Sequence, residues 1–217
     1  GGESVCTDAR IPIAGGHTID SVEPIYGLVA LGLVHPDRIK KNSDARAGDA
    51  LVLGKPLGVG IYSAALKKDR LDADGYREMI ASTTKLNTPG PRLAATPGVH
   101  ALTDVTGFGL LGHLLEICRG SGLGADVWMP DVPLLPGVES LAGQGCVTGA
   151  SGCNWAGYGK DVVLEGVSDL HRALLTDPQT SGGLLVACAP DAVDSVMQAF
   201  HDDGFDRASV IGRLSAS

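Results

Sequence analysis

ALTDVTGFGLLGHLLEIC, residues 101–118, is the stretch on which the reading of this chain turns. An apolar run ends in a carboxylate, Asp104, flanked by Thr103 and Thr106, and glycines follow at 107, 109 and 112. Leu110, Leu111, Leu114, Leu115 and Cys118 then recur at the spacing of one helix face, with Gly120 or Gly122 as the stop. The stretch therefore reads as strand, turn and helix. Its oddity is electrostatic. A helix N-terminus attracts anions, and Gly107 and Gly109 allow a ligand to approach the backbone, yet an acid stands at the turn. Two readings resolve this. Either a Mg²⁺ ion sits between Asp104 and phosphate oxygens, with Thr103 and Thr106 adding hydroxyls and Thr106 able to cap the helix, or Asp104 itself caps the helix and the glycines merely make a tight turn.

Outward from this stretch, strands and helices alternate. Strands are predicted at 24–34, 50–58, 99–105, 125–129, 182–189 and 208–214, from apolar and β-branched runs bounded by turn formers. Helices are predicted at 59–69, 72–87 with Asp72 or Asp74 as cap, 90–95, 135–145, 167–177 and 190–204. The Gly-rich stretch CVTGASGCNWAGYGKD, 146–161, reads as a long loop. HPDRIKKNSDARAGD, 35–49, is polar and rich in turn formers, so a domain boundary is placed near residue 43, giving domains 1–43 and 44–217. The alternation over the second domain favours a layered α/β or α+β architecture.

Composition narrows the function. With 217 residues, 44% of them hydrophobic, the chain can bury a sizeable core. Thirty-one glycines and only 4% aromatics point to many turns and close backbone approaches. The formal charge of −8 and the lack of basic clusters beyond Lys40/Lys41 and Lys67/Lys68 argue against a nucleic-acid partner. An acidic protein can still bind a phosphate ligand, and a metal cation is the expected means. No apolar run approaches the roughly 18 residues that span a bilayer. Five scattered cysteines without a C-x-x-C pair fit free thiols in a reduced, cytoplasmic setting, and Cys146 and Cys153 lack the paired spacing of a zinc site. The first and last residues read like the ends of a piece of a longer protein.

Two further motifs carry chemistry. In AGGHTID, 14–20, Gly15 and Gly16 permit a nest of backbone N–H groups for an anion, His17 can donate to it, and Asp20 can hold His17 or a metal. The alternative is a polar bend. In TDPQTSGG, 176–183, Asp177, Gln179, Thr180 and Ser181 crowd hydrogen-bonding groups into one loop before a strand. That loop either lines a polar cavity or is a Pro-anchored turn. Lys55 is a phosphate contact or an exposed lysine at a strand end. His113 is expected to pack near the apolar helix face, and Asn154 and Trp155 to contact substrate from the Gly-rich loop or to move freely with it.

AGGHTID, EPIYGL, KPLG, LTDVTGFGLLGHLLE and DPQTSGGLL, in this order and over nearly the whole chain, resemble the signatures of the selenophosphate synthetase (selenide, water dikinase) family. The wider superfamily includes aminoimidazole ribonucleotide synthetase, thiamine-monophosphate kinase and a hydrogenase maturation factor. The resemblance implies an α+β fold. Its C-terminal domain would be like that of aminoimidazole ribonucleotide synthetase, a layered mixed sheet with helices, preceded by the last strands of an N-terminal α/β ATP-binding domain. It implies synthesis of selenophosphate, AMP and orthophosphate from ATP, selenide and water, with Mg²⁺ and commonly K⁺, in a cytoplasmic homodimer.

By the same resemblance, Asp104 matches a Mg²⁺-binding aspartate, and Gly15, Gly16 and His17 match nucleotide-contacting positions. Thr103, Thr106, Gly107, Asp177, Gln179, Thr180 and Ser181 would line the active-site channel. The family's nucleophilic Cys or selenocysteine and its Lys lie in an upstream Gly-rich segment that this sequence does not contain. None of the five cysteines here is then expected to handle selenium, and the piece alone is expected to be inactive. Two other classes stay open at this point: another ATP-dependent small-molecule kinase or synthetase of the superfamily, and a non-catalytic interaction module.

Overall fold

The computed structural model describes residues 1–216; Ser217, the last residue of the expected second domain, lies outside them. The chain divides into two compact units, Gly1–Ile39 and Lys40–Ser217.

In the first unit, helix α1 (Gly2–Asp8) buries Cys6, and a single 3-10 turn, Pro36–Arg38, is capped by His35. The strand expected at 24–34 does not form. A strand exists through its ladder, and residues 24–34 pair with no strand among the described residues. Val29, Leu31 and Leu33 stay exposed.

The second unit is built on one five-stranded sheet made of β1 (Ala50–Leu53), β2 (Val99–Asp104), β3 (Leu123–Val127), β4 (Leu184–Cys188) and β5 (Ser209–Ala216). Its spatial order is β2-β4-β1-β5-β3. All four pairings are antiparallel, with Val52 opposite Val186 and Asp104 opposite Leu184. Helices α2 (Val59–Leu66), α3 (Ala73–Thr84), α4 (Gly90–Ala95), α5 (Gly109–Ser121), α6 (Val138–Gly143), α7 (Gly149–Tyr158), α8 (Asp169–Leu175) and α9 (Val193–Asp202) lie between the strands in the chain. The result is the α+β layering expected from the sequence, but the sheet is antiparallel throughout rather than mixed, because each pair of neighbouring strands runs in opposite directions.

Strand periodicity explains the layers. Successive side chains of β1 and β4 point to opposite faces. Leu51, Leu53, Leu185 and Ala187 pack with Leu110, Leu114 and Ile117 of α5. Val52, Val186 and Cys188 pack with Leu93 of α4 and with Val196 and Phe200 of α9. Because both faces are covered, every residue of β4 is buried, and the strand reads in sequence as an unbroken apolar run. A third cluster joins Ile61 and Tyr62 of α2 to Leu135, to Val138 of α6 and to Leu174 of α8.

Capping follows local chemistry. Asp72 accepts the Gly75 N–H at 2.7 Å and starts α3. Ser168 starts α8 by accepting the His171 N–H. Gly122 ends α5 in the left-handed conformation, φ 66°. The expected loop at 146–161 is instead helical. Thr148 accepts the Ser151 N–H at 3.2 Å, α7 runs to Tyr158, and a 3-10 turn follows at Gly159–Asp161. The many glycines lower the propensity of this segment, but the cap and the burial of Ser151, Asn154 and Tyr158 override it.

Candidate functional site

Asp104 is the last residue of β2 and is exposed. Its backbone is held by the ladder to Leu184. Its carboxylate accepts no hydrogen bond and pairs with no cation among the described residues. It does not cap α5, whose N-cap is Phe108 and which has no side-chain cap. Thr106 does not cap it either, because its hydroxyl meets His113 Nε2 at 3.1 Å. The His113 ring in turn lies 6.0 Å from the ring of Phe108. Thr103 is half-buried, and its hydroxyl turns to its neighbour's carbonyl at 3.4 Å.

The turn after Asp104 is held from several directions. Val105 is fully buried and its N–H donates to the Gly183 carbonyl at 2.9 Å, while the Gln179 N–H donates to the Thr106 carbonyl at 3.0 Å. The two motifs that the sequence places 70 residues apart therefore lie side by side. The contact is tight enough that a Cβ on Gly182 would collide with the Val105 carbonyl oxygen. From α7, Asn154 Nδ2 donates to the Gly107 carbonyl at 2.9 Å and to the Thr176 carbonyl at 3.0 Å, and the Tyr158 hydroxyl donates to the Phe108 carbonyl at 2.7 Å. Gly107 and Phe108 remain exposed.

Within the 176–183 loop the polar side chains divide into two groups. Asp177 and Gln179 turn inward and cap α2 instead of facing an open cavity. Asp177 Oδ2 accepts the N–H groups of Gly60 at 3.0 Å and Ile61 at 3.3 Å. Gln179 Oε1 accepts those of Gly58 and Val59, both at 3.2 Å, and its amide donates back to Asp177. Burial pushes the Asp177 carboxyl up to about 7, against the pull of these hydrogen bonds. Thr180 and Ser181 are exposed, with Ser181 at φ 51°.

Lys55 is neither an exposed lysine nor a free phosphate ligand. It is buried and donates to the carbonyls of Ser82 at 3.1 Å and of Lys85 and Ser181 at 2.6 Å each. Burial, and then the Lys85 charge, lower its pKa to about 8. Asn154, expected to meet substrate, is engaged by backbone instead, and Trp155 packs on the core beside the Arg172 guanidinium, 5.3 Å from its ring centroid. Sequence reasoning missed Tyr158 altogether; its signal was the helical spacing of Asn154, Trp155 and Tyr158 behind Thr148. Gly15, Gly16 and His17 belong to the first unit, where they lie exposed in a segment without regular structure.

The donor set bears on Mg²⁺. No group of three or more His, Cys, Asp or Glu side chains is placed to hold a metal among the described residues. Mg²⁺ takes one or two carboxylates and otherwise substrate phosphates and water. A single exposed and unpaired carboxylate on a fixed turn fits that share of the coordination.

The family of AIR synthase related proteins matches through its C-terminal domain at residues 46–217. Relatives named selenide, water dikinase include one from Burkholderia pseudomallei (strain K96243), 70% identical over 99% of this chain and 61% of its own length. One from Pseudomonas straminea is 64% identical over 100% of this chain and 61% of its own. One from Rhizobium meliloti (strain 1021) is 55% identical over 100% of this chain and 62% of its own. The chain thus spans about three fifths of the length of these relatives.

Among solved structures, E. coli HypE superposes with a TM-score of 0.61 at 22% identity, over 82% of this chain and 47% of its own. Thiamine-monophosphate kinase from Stenotrophomonas maltophilia K279a does so with 0.60 at 19%, over 85% and 52%. These two establish the fold. With its five-stranded antiparallel sheet and the family match over 46–217, the chain belongs to the AIR synthase related proteins and carries their C-terminal domain.

Proposed function

We propose that this chain is part of an ATP-dependent selenophosphate synthetase that makes selenophosphate, AMP and orthophosphate from ATP, selenide and water. The observation that carries the reading is Asp104: an exposed, unpaired carboxylate at the end of an edge strand, followed by a turn whose outer residues, Gly107 and Phe108, are open to solvent. The high identity to relatives named selenide, water dikinase supports the choice of substrate.

In this reading Asp104 holds Mg²⁺. Bound there, Mg²⁺ offsets the negative charge of the phosphoryl groups. The chain's own part is placement. Val105 anchors the turn, the Gln179–Gly183 segment braces it, and the exposed Thr180 and Ser181 border it. In the first unit, Gly15 and Gly16 offer backbone N–H groups, and His17 a ring N–H, to the nucleotide. Selenide needs little activation as a nucleophile, so positioning and exclusion of water are the larger contributions. K⁺ dependence, a homodimer and a cytoplasmic location belong to the same reading of the full-length enzyme. The five cysteines here stay outside the chemistry.

The test is Asp104→Asn in the full-length protein. The expected result is a fall in AMP formation of roughly a hundredfold or more, about 2.7 kcal/mol, with the thermal midpoint unchanged. Normal turnover by the variant would remove the metal reading. Steady release of ADP in place of AMP and orthophosphate would reassign the enzyme to small-molecule kinases.

A further inference from the structure

We infer that Asn154 and Tyr158 are positioning residues: by gripping the carbonyls of Gly107 and Phe108 from beneath, they aim the Phe108 N–H outward at an anion held beside Asp104. The inference rests on the reading of Asp104 as a metal–phosphate ligand.

The geometry of the peptide carries it. In a trans peptide the C=O of one residue and the N–H of the next point in opposite directions, and the described chain has no cis bond. Asn154 Nδ2 holds the Gly107 carbonyl at 2.9 Å from the buried side. The N–H of Phe108 therefore points away from α7, toward the exposed face, and it has no partner among the described residues. The next peptide behaves differently. The Tyr158 hydroxyl holds the Phe108 carbonyl at 2.7 Å, and the Gly109 N–H on the far side of that peptide closes back on the Thr106 carbonyl at 3.0 Å. One amide is presented and its neighbour is locked.

Apolar packing would fix where this turn sits but not how its peptides are rotated. Two directional donors on consecutive carbonyls fix the rotation as well. Both come from α7 and are nearly buried, Asn154 at 9% and Tyr158 at 8% exposure. Asn154 also holds the Thr176 carbonyl at 3.0 Å, so one side-chain amide sets both the Asp104 turn and the root of the 176–183 loop. The Tyr158 phenol is pushed up to about 12 by burial, so it keeps its proton as a donor across the working pH range.

The test measures Mg²⁺-dependent binding of a non-hydrolysable ATP analogue to the full-length protein by calorimetry. Asn154→Asp keeps the shape but replaces the donor with an acceptor facing two carbonyls. Tyr158→Phe removes a single hydroxyl and carries the test if Asn154→Asp does not fold. Each folded variant is expected to bind the analogue about tenfold or more weakly, the scale of lost outer-shell support. In an Asp104→Asn background, adding Asn154→Asp or Tyr158→Phe is expected to weaken binding no further. Wild-type affinity in a folded single variant overturns the inference, as does an equal, additive loss in the Asp104→Asn background. Wild-type affinity in Asp104→Asn alone instead overturns the metal reading on which it rests.

Discussion

Asp177 Oδ2 accepts the Gly60 N–H at 3.0 Å, so the first turn of α2 is closed by a carboxyl group from a loop 117 residues away. The other oxygen, Oδ1, is buried with no hydrogen-bond partner among the described residues. The opposing effects are clear. Burial favours the neutral acid, while the Gln179 amide and the N–H groups of Ile61 and Gly60 favour the anion, and burial wins, raising the pKa from 3.8 to about 7.

That shift makes stability depend on pH. The folded state keeps the proton up to about pH 7, whereas the unfolded chain releases it near 3.8. The contribution is therefore fully present below about pH 4 and is lost as pH rises through 7. Asp177→Asn carries no proton to lose and retains an oxygen for the Gly60 and Ile61 N–H groups. Relative to wild type, the variant is expected to gain stability steadily from pH 4 to pH 8, by at most about 4 kcal/mol. Urea denaturation of both proteins across that range checks it, and a flat difference would mean that the carboxyl is ionised throughout.

Lys55 joins three carbonyls that otherwise have no reason to meet: Ser82 and Lys85 at the end of α3, and Ser181 in the loop beside the Asp104 turn. Lys55→Met keeps the length and apolar stem but takes the donor from three carbonyls in a partly buried place. The expected loss is about 3 kcal/mol, at roughly 1 kcal/mol for each abandoned carbonyl. It should appear as a lower urea midpoint and as faster hydrogen exchange at residues 180–183. Unchanged exchange there would show that the loop is held by its backbone contacts alone.

Much of this architecture was legible because single segments declared it. The run at 101–118 already contains the strand end, the exposed acid and the buried face of α5. Asp72 and the Gly122 stop were readable as local chemistry. What escaped depended on partners distant in sequence. Residues 24–34 have the composition of a strand but no ladder among the described residues. Segment 146–161 looked irregular because glycine lowers helix propensity locally, whereas its helix is stabilised by burial against residues 107–108 and 173–176. The inward turn of Asp177 and Gln179 was hidden for the same reason. Their partners are N–H groups of residues 58–61, and main-chain donors leave no mark in a sequence.

Gly109 offers the sharpest test of how closely the site is packed. Its φ of 68° lies in the left-handed region, where a side chain is strained, and a Cβ would approach the Thr176 backbone to 2.7–2.9 Å. That backbone cannot yield easily: Thr176 is 1% exposed, its hydroxyl meets that of Ser151 at 2.6 Å, and its carbonyl is held by Asn154. Gly109→Ala combines left-handed strain of about 1–2 kcal/mol with an overpacking cost of about 1–3 kcal/mol. The expected sum is about 2–5 kcal/mol in chemical denaturation. Relief of the clash should also push the 106–109 turn away from Thr176. In the full-length protein the variant is therefore expected to lose nucleotide affinity even at temperatures where it remains folded. A Gly109→Ala protein as stable as wild type would show that the turn slides freely over Thr176, and a turn that slides cannot present the Phe108 N–H in one direction.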